Sequence, residues 1–113
     1  MLVINHLSVP AQTIEEGANN ASIRWILTEN EGADKFYMRI IELANRGYTP
    51  HHAHSWEHEF FVLEGEGKMV ITGGSTLKFK AGTVLYCPPR TEHNVFNAGS
   101  GPLRYLYIVA NAE

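Results

Sequence analysis

The chain has a single cysteine, Cys87, among its 113 residues. No disulfide can form within it, so the expected compartment is the cytoplasm. Cys87 itself is read as a small buried hydrophobe. Long apolar runs are also missing, and no stretch approaches the roughly 20 residues needed to cross a bilayer. The opening Met1-Leu2-Val3-Ile4-Asn5-His6 lacks a basic segment followed by a long apolar one, so no secretory signal is expected. Positive charge is in deficit, with a formal net charge of −3, which argues against a nucleic-acid partner. There is no internal repeat, low-complexity tract or linker. With 44% apolar and 19% charged residues, the composition is that of an ordinary folded domain, long enough for one core and too short for two.

Beyond residue 36 the pattern is short β-rich runs separated by turn signals. Expected strands cover 36–43, 58–63, 68–72, 75–80, 83–87, 93–97 and 103–110. Asn45-Arg46-Gly47, Gly73-Gly74, Pro88-Pro89 and the 98–102 stretch serve as turns. Such spacing points to an all-β antiparallel sandwich or barrel. The first third is less regular: 22–28 reads as a strand, Leu2 to Ile4 as a possible short one, and Thr13 to Glu16 as a helical turn or a loop. The expected organisation is one domain over 1–113, with N-terminal strands and a loop in 1–35 and the barrel core in 36–110.

The chemistry is concentrated in His52-Ala53-His54-Ser55-Trp56-Glu57-His58. His51 lies beside it and His93 follows in a turn-rich stretch, so five of the six histidines occupy two short segments. Neutral imidazole is the commonest metal ligand among side chains. In an extended chain His52 and His54 face the same way and can share one ion. His6 and His51 are read as surface residues. A closed structural zinc site would be expected to include cysteines, and none is placed to help.

These segments resemble the paired motifs of the cupin superfamily. The first motif reads Gly47, His52-Ala53-His54, His58 and Gly65; the second reads Gly82, Pro88, Arg90, His93 and Asn97. Three departures stand out. The spacer after Gly47 is one residue short. Arg90 replaces a turn glycine and must find another conformation. His58 takes the place of the usual acidic ligand. Glu59 is the rival in the adjacent register; His58 and Glu59 face opposite sides of a strand, and the spacing to Gly65 favours His58.

The resemblance implies a single-domain cupin barrel of jelly-roll type, akin to small members with four histidine ligands. His52, His54, His58 and His93 would hold one divalent transition metal: Mn, Fe, Ni, Cu, Co or Zn. Four neutral imidazoles leave the ion its full charge, which favours anionic ligands, and sequence alone does not choose the metal. Arg39 lies in an apolar strand, where it either snorkels to solvent or points inward to hold an anion. Arg39, Phe60, Tyr105 and Tyr107 are the candidate substrate-pocket residues, while Phe96 and Trp56 are read as packing and rim, and Met38 and Met69 as core. The resemblance also implies a homodimer, for which Leu2-Val3-Ile4 could supply an exchanged strand.

Two functions follow as expectations. One is a metal-dependent oxygenase (dioxygenase-like) acting on a small organic substrate, with a Lewis-acid isomerase or hydrolase as a variant. The other is a non-catalytic barrel that captures a small ligand.

Overall fold

The computed structural model describes residues 1–51, 53 and 57–110. Its nine strands are β1 (Gln12–Ile14), β2 (Asn19–Leu27), β3 (Phe36–Tyr48), β4 (His58–Glu64), β5 (Glu66–Ile71), β6 (Thr76–Lys80), β7 (Val84–Cys87), β8 (His93–Asn97) and β9 (Leu103–Ala110). Two 3₁₀ turns, His6–Ser8 and Glu29–Glu31, complete the elements among the described residues.

The strands hydrogen-bond in the order β6-β5-β8-β3-β9-β4-β7, with β2 also on β3 and β1 on β2. Spatial neighbours are thus distant in sequence, the crossing pattern of a jelly-roll barrel. Alternation decides what fills it. On β9, Leu103, Tyr105, Tyr107 and Val109 point inward; on β4, His58, Phe60 and Val62 do. Leu43 and Leu103 are completely buried, with Val62 and Val95 nearly so, and they form the centre of the core. Met69 is buried as expected, whereas Met38 lies half-buried at the surface.

The first third departs from expectation. Leu2 to Ile4 forms no strand, and all three side chains are exposed: so short an apolar run has no strand of its own chain to pair with. Thr13 and Ile14, expected in a helical turn or a loop, lie instead in β1, where pairing with β2 lets Ile14 pack on the core.

β3 is longer than expected. The Asn45-Arg46-Gly47 turn is instead an irregular stretch inside the strand, where Arg46 takes φ +62° and three successive residues are exposed. Two side chains of β2 compensate: Asn19 Nδ2 donates to the Arg46 carbonyl at 3.1 Å, and Asn20 Nδ2 to the Asn45 carbonyl at 3.0 Å. The chain then continues to Tyr48 and delivers Thr49 to β8. There Thr49 N donates to the Val95 carbonyl and Val95 N donates to Thr49 Oγ1, both at 2.9 Å. One end of the histidine-rich segment is anchored in this way. The other end is β4 itself.

Candidate functional site

β4 resolves which of two adjacent residues faces the interior. His58 is 1% exposed, while Glu59 points out to solvent. Cross-strand partners fix this orientation: His58 lies opposite Val109 of β9 and Cys87 of β7. The His58 ring sits 4.9 Å from the Tyr107 ring and 5.9 Å from the His93 ring, nearly perpendicular to the latter at 86°.

His93 opens β8 after the Pro88-Pro89-Arg90 turn and is 3% exposed. Arg90 does not find another conformation, as the sequence suggested it must. It keeps the left-handed backbone a glycine would adopt there, with φ +61°. The turn geometry wins because it aims His93 inward, at a backbone cost of about 1–2 kcal/mol for an L-residue. His93 Nδ1 lies 2.7 Å from the Thr91 carbonyl oxygen. A carbonyl can only accept, so Nδ1 carries the proton and Nε2 carries the lone pair. This is the tautomer, held by the kind of backbone contact, that metal-ligating histidines use. On this observation His93 fits a metal ligand.

Cys87 Sγ stands 3.6 Å from the same nitrogen, and burial pushes its thiol pKa up, so it sits there as a neutral SH group. Among the described residues no three His, Cys, Asp or Glu side chains gather as a metal group. Two of the four expected ligands, His52 and His54, lie outside the described residues, as does Trp56.

A cavity of about 220 Å³ opens beside His93. All four expected pocket residues, Arg39, Phe60, Tyr105 and Tyr107, line it together with His93. Trp25, Ile14, Ile23 and Thr49 contribute walls that sequence reasoning missed. The signal for Trp25 is register. Trp25 pairs with Arg39 across β2 and β3, Arg39 with Tyr107 across β3 and β9, and Tyr107 with Phe60 across β9 and β4. One cross-strand row therefore carries an arginine between aromatic rings.

Arg39 Cζ lies 4.0 Å over the Trp25 ring centroid and 5.4 Å from that of Tyr107, within cation–π range. It does not snorkel away: its Nε is buried with no hydrogen-bond partner among the described residues. Burial lowers the guanidinium pKa, opposed by Tyr107, yet a guanidinium remains charged in a protein. Tyr105 and Tyr107 shift the other way. Burial, the larger cause for both, holds their hydroxyls protonated well above the ordinary range, so they act as neutral hydrogen-bonding groups.

The second motif also ends on a structural clamp. Asn97 Nδ2 approaches the carbonyls of Leu43, Ala44 and Gly101 at 2.8–3.1 Å, and its Oδ1 accepts from Gly99 N at 2.9 Å. This ties the β8–β9 turn to β3. Gly65 is required by close approach: at φ +91°, a Cβ there would clash with the Pro102 carbonyl oxygen.

Residues 39–109 match the cupin domain family model. The chain belongs to the cupin family. An uncharacterised protein of Methanocaldococcus jannaschii is 34% identical over 56 residues, 50% of this chain. The match spans only 44% of that relative's length. Among solved structures, the polyketide cyclase RemF of Streptomyces resistomycificus superposes with a TM-score of 0.89 at 29% identity, covering 97% of this cupin and 79% of RemF. A predicted oxalate decarboxylase from Thermotoga maritima gives 0.85 at 19% identity, covering 96% of this cupin and 98% of that chain; at that identity it speaks for the fold alone.

Proposed function

We propose that this cupin is a metal-dependent enzyme that binds a small, anionic organic substrate inside its barrel, with His52, His54, His58 and His93 as the ligands of one divalent transition metal. The observation that carries the reading is the pairing of two buried, inward histidines, one in the ligating tautomer, with a cavity lined by a half-buried arginine. A metal in that ligand set would supply Lewis-acid polarisation and, if redox-active, electrons for oxygen chemistry. The chain's own residues do the rest. Arg39 draws in and orients the anionic end of the substrate. Phe60 and Ile41 exclude water from the apolar part. Tyr105 and Tyr107 keep their protons and serve as hydrogen-bonding groups, not as bases.

On the first reading the reaction is an oxygenation. The second is a redox-neutral ring closure, favoured by the likeness to a polyketide cyclase over 97% of the chain. Elemental analysis of the protein as purified, beside His58→Ala, tests the shared premise: near-stoichiometric metal is expected in the parent and its loss in the variant. Metal-dependent oxygen uptake with bound substrate supports oxygenation, whereas product formation without oxygen uptake supports ring closure. No metal in either protein, even after reconstitution, would overturn both.

A further inference from the structure

The row Trp25–Arg39–Tyr107–Phe60 can do more than line a cavity. We propose that it is a preformed receptor for a planar aromatic carboxylate, with the carboxylate on the in-plane edge of the Arg39 guanidinium and the ring among the aromatic walls. Trp25 is the positioning residue that holds the guanidinium. This names a substrate class for the site proposed above and shares its location, but every residue involved is described and none requires a bound metal.

Four observations support it. First, Arg39 reaches the interior by alternation along β3, on the same face as Ile41 and Leu43. Second, the flanking strands place an aromatic ring on each cross-strand neighbour of Arg39, at 4.0 and 5.4 Å. Rings that take the face of a guanidinium leave its N–H edge available, and that edge matches a carboxylate with two parallel hydrogen bonds. Third, among the described residues no aspartate or glutamate lines the cavity and no carboxylate lies within ion-pair distance of Arg39. Arg104, by contrast, is paired with both Glu42 and Glu64. A half-buried cation whose Nε is cut off from solvent and has no acidic partner favours an anion from outside. Fourth, about 220 Å³ suits one substituted ring, since a cavity of about 150 Å³ already accepts benzene.

The probe is sodium benzoate, with neutral benzamide as control, followed by calorimetry and tryptophan fluorescence on the protein as purified and after exhaustive chelation. Benzoate should bind at least about tenfold more tightly than benzamide, and should still bind after chelation. Arg39→Met should lose at least about tenfold in benzoate affinity. Arg39→Lys should recover only part of it, because the fork is gone. Trp25→Leu should weaken benzoate several-fold and Trp25→Phe should restore most of that. All four variants should keep the parent's metal content and cooperative unfolding. Equal affinity for benzamide, or undiminished benzoate binding by Arg39→Met, overturns the receptor. Benzoate binding that vanishes on chelation and ignores Arg39 also overturns it, while leaving the metal reading standing; absent metal with Arg39-dependent benzoate binding does the reverse.

Discussion

His93 Nδ1 and the Thr91 carbonyl oxygen, two residues apart, lie 2.7 Å from each other, and this contact fixes Nε2 as the ring nitrogen that carries the lone pair. His58 meets that ring from β4. Substituting either histidine by alanine should sharply reduce metal content measured by mass spectrometry. Glu59→Ala should leave it unchanged, because Glu59 points to solvent. Metal lost from Glu59→Ala and retained in His58→Ala would require three histidines and a carboxylate instead.

Arg90 sits in the left-handed region at φ +61°. Arg90→Gly should relieve backbone strain, offset in part by the greater freedom glycine has when unfolded. A net gain of about 0.5–1 kcal/mol is expected, read as a rise of a few degrees in Tm. An unchanged or lower Tm would mean that the arginine side chain compensates for its backbone.

Asn97 serves three carbonyls and one amide from two segments, β3 and the β8–β9 turn. Asn97→Ala leaves several of these groups without a partner and should destabilise the fold by about 1–3 kcal/mol in urea unfolding. Asn97→Asp keeps the acceptor for Gly99 N but loses the donors, so it should not rescue the loss.

Burial raises the pKa of Tyr105 and Tyr107 from an ordinary 10.0. The native chain therefore holds protons that the unfolded chain releases as pH rises through 10.0, so stability is present in full below that pH and declines above it. Tyr105→Phe should flatten part of the decline when unfolding free energy is measured from pH 8 to 11. An identical slope would show that Tyr105 releases its proton as readily folded as unfolded.

Cys87 is 3% exposed and its thiol is pushed up by desolvation. Iodoacetamide at pH 8 should alkylate the native protein far more slowly than the urea-unfolded chain, because the thiolate is the reacting form. Equal rates would place the sulfur at the surface.

Much of the barrel was readable because its strands alternate and its turns carry glycine and proline. The limits of β8 and β9 agree with the sequence expectation, since both are bounded by strong turn signals. The irregular stretch in β3 was not readable. Asn45-Arg46-Gly47 looks like a turn, and only the Asn19 and Asn20 side chains, from 25–27 residues upstream, let it persist as strand. β1 was missed for the same reason: three residues form a strand only when β2 is there to pair with them.

The sequence by itself determined the family motifs, the all-β class and the fact that His58 and Glu59 must face opposite ways, because these depend on spacing and on the period-two geometry of a strand. It also supplied the histidines and an arginine whose direction it left open. The tertiary structure shows His58 inward, the register its spacing to Gly65 favours, and it alone decided that Arg39 enters the cavity. It alone placed Trp25 beside Arg39. Those outcomes depend on which strands lie side by side and in what register. Register is set by long-range packing of β2, β3, β9 and β4, which no local pattern encodes.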